Sequence, residues 1–381
     1  MSGEQPKLVV FAGPNGSGKS TITAGFINTP GFPENYINPD EIAQTLNEPS
    51  ENRKAYQAAI IAEEQRKAHL SQKESFAFET VMSHPSKLYT MQEAKQEGYQ
   101  VELIFVATSD PQINVNRVQQ RVASGGHDVP TDKIIERYNR TIELLPAAAE
   151  IATKTRIYDN TSTPQQVAEV ENGVVTYQAE NLPQWTENII NKLNERRQER
   201  NQIENNANQN NRQLIVADIY NSKNIGIIQY ITNNFITQKI DESTLVLHDR
   251  SIAKKNVEPE QSVRIAYNDG NVAVNQQPTI ENKEWAESIL PIASQIFQNA
   301  REASRVETPS RGIETVEGNN YKLQLNRNNQ ILNIISKNNN QEVASFDLEE
   351  LTVISAQPEL DDKQRWNLQI QARNQNQDIE L

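Results

Sequence analysis

The chain has 381 residues, a net charge of −13 and no cysteine. That length allows two domains with separate cores, and the missing cysteines exclude disulfides and thiolate metal sites. The acidic balance argues against a broad nucleic-acid surface, while the lack of an apolar leader or of a run near the roughly 18 apolar residues of a membrane helix leads us to expect a soluble cytoplasmic protein with no membrane partner.

The first element in chain order is Leu8-Val9-Val10-Phe11-Ala12, an apolar run that reads as a buried parallel strand. It runs into Gly13-Pro14-Asn15-Gly16-Ser17-Gly18-Lys19-Ser20-Thr21, a complete G-x-x-x-x-G-K-[ST] phosphate loop, and then into residues that can open a helix. Strand, glycine loop and helix are the context this motif requires. The glycines let backbone N–H groups turn inward around a phosphate. Lys19 offers a point charge to the β- and γ-phosphates, the Ser20 hydroxyl can ligate Mg²⁺, and the helix start favours the same anion. The motif predicts binding of ATP or another nucleoside triphosphate.

Next comes Asn38-Pro39-Asp40-Glu41, which places a carboxylate where a second strand would end. Asp40 can take the proton from an acceptor hydroxyl, as a general base; it can equally cap a helix starting at Glu41. Phe76-Ala77-Phe78-Glu79-Thr80 is an apolar strand ending in a carboxylate. A Glu79 buried there needs a partner, whether metal-bound water, a substrate hydroxyl or an arginine. Further strands are expected at 101–107 and 156–158, with helices near 53–70, 86–97, 111–124 and 131–152. The alternation implies an α/β fold with a parallel sheet whose ligands gather at the strands' carboxyl ends.

Gly125-Gly126-His127-Asp128-Val129-Pro130 reads as a hinge before a cationic helix. On that helix Lys133, Arg137 and Arg140 fall within about 60° of one another. Such a helix suits a lid closing on a transferring phosphate, and Arg117 and Arg121, one turn apart on the helix before it, can extend the surface. Tyr158-Asp159-Asn160-Thr161-Ser162 follows what reads as the last strand of this half and can border the nucleotide base, or simply form a turn. His84 and His127 are assigned no catalytic role.

Residues 191–213, ending in an Asn/Gln-rich tract, read as a frayed helix end passing into a linker. The expected division is a kinase domain at 1–190, this linker, and a smaller β-rich accessory domain at 214–381. In the latter, strands are expected at 214–219, 226–231, 234–240, 245–248, 262–267 and 271–275, with Asn268-Asp269-Gly270 as a hairpin signal. A helix near 285–303 and a meander at 321–346 follow.

The phosphate loop, Asn38-Pro39-Asp40, Phe78-Glu79-Thr80, the 125–130 hinge with Arg137-Tyr138, and Tyr158-Asp159-Asn160 together resemble the zeta-toxin family of phosphate-loop kinases, over roughly residues 5–190. The resemblance implies a nucleoside-monophosphate-kinase-like core with a helical lid. It also implies ATP and Mg²⁺ as cofactors, a small-molecule substrate and an antitoxin protein as partner, since family members are toxins that phosphorylate UDP-N-acetylglucosamine. By this resemblance Asp40 is the catalytic base, Glu79 the substrate-side carboxylate, and Arg137 and Arg140 the lid arginines; Thr80 and Arg121 are expected to join Glu79 in holding the substrate. The Gly-Gly-His-Asp-Val-Pro lid belongs to a branch whose acceptor need not be the sugar nucleotide, so another metabolite is the alternative; a nucleotide-switched interaction protein is a second. A shorter stretch, Gly226–Gln229 through Leu247-His248-Asp249-Arg250 to Val263–Gly270, is similar to a KfrB-type β domain of mobile-element proteins.

Overall fold

The computed structural model describes residues 5–125, 128–278, 280–310 and 312–374. In chain order the first half comprises β1 (Lys7–Ala12), α1 (Lys19–Phe26), β2 (Asn35–Ile37), α2 (Pro39–Thr45), α3 (Glu51–Gln72), β3 (Phe76–Thr80), α4 (Ser86–Gln96), β4 (Gln100–Ala107), α5 (Pro111–Ala123), α6 (Thr131–Ile151), β5 (Lys154–Asp159), β6 (Gln165–Glu171), β7 (Val174–Gln178) and α7 (Gln184–Gln209). The strands form one sheet in the order β2-β3-β1-β4-β5-β6-β7. From β2 to β5 the pairing is parallel. Helices on both faces explain why β1 and β4 are buried almost throughout, whereas β5 alternates. The register sets Ala12 beside Thr80 and Phe105, so β1 and β3 end level while β4 runs on to Ala107.

Two features differ from the sequence reading. The segment after β5 is not past the last strand: β6 and β7 add an antiparallel hairpin to the sheet. Its turn holds Asn172 and Gly173, both at positive φ, so an Asn-Gly hairpin signal was present but its flanking strands are rich in Gln and Glu. The stretch expected to become a linker is helical as far as Gln209. An apolar stripe on α7 explains this. Trp185, Ile189, Leu193, Ile203 and Ala207 are buried, and Ile203 packs with Phe235 and Leu247. The Asn and Gln residues occupy the wet face.

The second half continues with β8 (Gln213–Val216), β9 (Asn221–Ile231), β10 (Phe235–Lys239), β11 (Thr244–Asp249), β12 (Ser262–Asn268), β13 (Asn271–Gln276), α8 (Ile280–Glu302), β14 (Glu307–Ser310), β15 (Ile313–Glu317), β16 (Tyr321–Asn326), β17 (Ile331–Ser336), β18 (Glu342–Asp347), β19 (Thr352–Ala356) and α9 (Leu360–Asn374). Strands β8–β13 form a sheet ordered β13-β12-β9-β10-β11-β8. By compactness the chain resolves into residues 1–223, 229–259 and 266–272 as one unit, and 224–228, 260–265 and 273–381 as the other. The second unit contains an antiparallel meander, β14 to β19, whose core of Leu323, Leu332, Ile334 and Phe346 is closed by Ile289, Ile296 and Phe297 of α8 and by Trp366 of α9. The sequence reading found the middle three strands and α8; the outer strands and α9 are shorter in apolar residues and were not anticipated.

Candidate active site

The phosphate loop bridges β1 and α1 at the carboxyl end of β1, level with that of β3. Gly16 and Gly18 lie at φ of 76° and 88°, in the left-handed region. A Cβ on Gly16 would sit 2.6 Å from the Asn114 carbonyl oxygen, and one on Gly18 would sit 2.2 Å from Asn160 Nδ2. The loop is therefore held close to α5 and to the end of β5. Asn114 donates to the Asn15 carbonyl at 2.6 Å, and Asn160 donates to the Ser17 carbonyl at 2.8 Å. Tyr138 of α6 donates to the Thr108 carbonyl at 2.6 Å, and Thr108 in turn bonds Asn114. The first turn of α1 has Gly18 as its cap and receives no side-chain bond, so its N–H groups face the loop's concavity.

Lys19 folds back over the loop, donating to the carbonyls of Gly13 at 2.8 Å and Pro14 at 3.1 Å. Burial of the ammonium lowers its pKa to about 8, against the opposing pull of Glu79 and Asp40; Arg121 lowers it further. These four residues thus share one electrostatic neighbourhood. Ser20, exposed on α1, donates to Glu79 Oε2 at 3.1 Å, and Tyr36 donates to Glu79 Oε1 at 2.8 Å. Burial, then the Glu79 charge, pushes the Tyr36 pKa well above its ordinary value. Glu79 is 8% exposed, and its partners are two hydroxyls rather than the arginine that sequence reasoning admitted. Thr80 serves the backbone: its carbonyl accepts from Gly13 N at 3.3 Å, and its hydroxyl accepts from Met82 N at 3.1 Å. Thr21 is exposed on α1 beside Ser20.

Asp40 is exposed at the second position of α2. The helix begins at Pro39, two residues earlier than expected, and its cap is Asn38, whose Oδ1 accepts from Asp40 N at 3.0 Å. Asn38 Nδ2 also donates to Glu41 at 3.0 Å. The capping role that competed for Asp40 belongs to Asn38.

The cations of α6 separate. Arg137 donates to Asn15 Oδ1 of the phosphate loop at a long 3.4 Å. Lys133 and Arg140 instead pair with Glu136 at 2.8 and 2.9 Å. The three residues do share a helix face, but only Arg137 meets the loop. Arg117 donates to the Thr161 carbonyl at 3.2 Å and so braces the segment after β5; Asp159 there accepts from Trp185 at 2.7 Å and from Thr161. His84 accepts from Ser86 N at 3.2 Å at the start of α4. Of the hinge, Gly125 has a φ of 87°, while Gly126 and His127 lie outside the described residues. Sequence reasoning missed Tyr36 and Asn114. The signal for Asn114 was a polar residue on the buried face of an otherwise amphipathic helix, beside Val115 and Val118.

The all-oxygen set of the Ser20 hydroxyl and the Glu79 carboxylate fits a hard cation such as Mg²⁺. Among the described residues no group of three or more His, Asp or Glu side chains is placed to hold a metal ion. No described helix is long and apolar enough to cross a membrane.

The family model for the zeta toxin matches residues 1–181, and that for the KfrB domain matches residues 223–276. An uncharacterized protein of Haemophilus influenzae is 31% identical over 134 residues, which is 35% of this chain and 94% of the relative. Among solved structures, the AvrRxo1-ORF1:-ORF2 complex with ATP is 19% identical with a TM-score of 0.40, over 49% of this chain and 64% of the matched one. The PezAT toxin–antitoxin system of Streptococcus pneumoniae is 19% identical with a TM-score of 0.34, over 52% of this chain and 88% of the other. The chain thus spans just under two thirds of the length of the AvrRxo1 chain it matches.

Proposed function

We propose, for a chain that belongs to the zeta toxin family over residues 1–181, that it transfers the γ-phosphate of ATP to a hydroxyl of a small molecule, with UDP-N-acetylglucosamine as the favoured acceptor. The observation that carries this reading is the grouping of Lys19, Ser20, Glu79 and Tyr36 at the strand ends, with Asp40 acting on the same ammonium. The loop amides and Lys19 hold the β- and γ-phosphates, and on nucleotide binding Lys19 exchanges its two carbonyl partners for phosphate oxygens. Ser20 and Glu79 would hold Mg²⁺, which supplies neutralisation of charge on the transferring group. Asp40, relieved of capping by Asn38, accepts the acceptor's proton. Arg137, already at Asn15, turns its guanidinium to the charge that develops in the transition state.

The test is acceptor-dependent ADP release across a panel of sugar nucleotides, nucleosides, sugars and amino-acid derivatives. Stimulation by UDP-N-acetylglucosamine is expected. Stimulation by a different member keeps the kinase and replaces the acceptor; ATP binding with no stimulation by any member leaves a nucleotide-switched interaction protein. An antitoxin partner belongs to the same proposal. It predicts a stable complex with the product of an adjoining reading frame on size-exclusion chromatography, and separate elution counts against it.

A further inference from the structure

Arg140 departs from the phosphate loop for a second feature of α6. It lies three residues beyond Arg137, about 4.5 Å further along the axis, and lines a cavity of about 360 Å³. One wall of that cavity is Ser83-His84-Pro85, the segment leaving the carboxyl end of β3, and α6 continues it with Glu143. Thr141 of α6 donates to the Val81 carbonyl at 2.9 Å, tying the helix to that same segment. The facing wall comes from the stretch that matches the KfrB domain, through Lys254 and Lys255 after β11 and the turn at Gly270.

The two walls are closely fitted. A Cβ on Gly270 would lie 2.6 Å from Ser86 N and 3.0 Å from the Pro85 carbonyl carbon. Across the cavity, Lys254 Nζ reaches Glu143 at 2.5 Å. Three cations line the space against one carboxylate, Glu143. Arg140 has its partner in Glu136, outside the lining, and Lys255 has no ion-pair partner among the described residues. Exposed lysines are ordinarily solubility charges. Here they line the same solvent-open cleft as a helix arginine, in a chain whose net charge is −13, and that local reversal of sign is what recruits an anion.

We propose that this cavity is the acceptor site, and that the KfrB-matching stretch supplies Lys254 and Lys255 to hold, with Arg140, a phosphate or diphosphate ester group of the acceptor. Assigning the cavity to the acceptor rests on the kinase reading above; the anion site itself does not. On this account the stretch at 223–276 determines specificity, because the kinase domain alone presents only one wall.

The test is calorimetric titration of the full chain, with its phosphate loop saturated by a non-hydrolysable ATP analogue and Mg²⁺, using UDP and inorganic pyrophosphate as probes. At least one probe is expected to bind, and Lys254→Ala combined with Lys255→Ala should weaken it at least about tenfold, as loss of charge-assisted bonds requires. The double Lys→Arg variant should retain binding, and affinity for the ATP analogue should not change. Pyrophosphate binding marks a site for any free diphosphate, and binding of UDP alone marks recognition of the ester; both uphold the anion site. Failure of both probes to bind the full chain, or equal binding by the double alanine variant, overturns it. Binding is read without turnover, so a chain that phosphorylates nothing would end the kinase reading while leaving this result intact.

Discussion

At the phosphate loop, the backbone amides and the lysine expected to cradle the nucleotide's phosphates lie within nine consecutive residues, Gly13 to Thr21. At the Arg140 cavity, the walls come from segments as far apart in sequence as Ser83 and Gly270. The first site is dictated by local backbone: left-handed glycines, a strand end and a helix start. The second exists only because α6, the segment after β3 and the turn at Gly270 have packed together. Local chemistry can be read from spacing, whereas a site assembled across the chain can be recognised only after folding. On the proposed reading the difference also separates two tasks, holding the common co-substrate and choosing the acceptor.

The comparison breaks first at Lys19. Lys19→Ala should lower turnover by at least about 10³-fold and weaken ATP binding, since no other side chain in the loop carries positive charge. Steady-state kinetics and nucleotide titration check this, and unchanged turnover would remove the loop from catalysis.

Arg137 and Arg140 sharpen the comparison, being neighbours on one helix face that serve different regions. Arg137→Ala should lower kcat by about 10² or more with acceptor KM little changed, as for a transition-state contact. Arg140→Ala should raise acceptor KM about tenfold while kcat holds, as for uniform binding. Equal effects on the same parameter would mean that the face acts as one surface. Sequence alone grouped these residues with Lys133, because a helix face specifies direction but not which neighbour each side chain meets.

A smaller effect is expected with pH. The free protein gives up the Lys19 proton near pH 8, whereas bound phosphates favour the ammonium and hold that proton to higher pH. ATP affinity should therefore be level below about pH 8 and fall above it, by up to about tenfold per unit. A flat profile from pH 7 to 9.5 would show that Lys19 does not titrate in this range. Smallest is Asn38→Ala, which should cost about 1 kcal/mol of stability through loss of the α2 cap, measured by denaturant melting. No loss would mean that the Asn38 bond to Asp40 N adds little to the stability of α2.

Much of the fold was legible. The apolar runs at β1, β3 and β4 announced buried parallel strands, and the hairpin at Asp269-Gly270 was marked by its own residues. What stayed hidden has physical causes. The α7 helix looks like a linker because its exposed face is almost wholly Asn, Gln and charged residues. Its sparse buried positions, Ile203 and Ala207, matter only once Phe235 and Leu247 meet them. In the site, Glu79 announced itself as a carboxylate ending an apolar strand. That its partners are Ser20 and Tyr36 depended on the register of β2, β3 and β1, which spacing does not specify.

The central claim is that a phosphoryl group passes from ATP to an acceptor hydroxyl deprotonated by Asp40. The most direct measurement follows the label of γ-labelled ATP in the presence of UDP-N-acetylglucosamine and the acceptor panel, for the wild-type chain and Asp40→Asn. The account predicts label on an acceptor with the wild type. It predicts transfer slowed by about 10² to 10⁴ in the variant, with ATP binding retained. Label released only as inorganic phosphate, or transfer by Asp40→Asn at the wild-type rate, would contradict it.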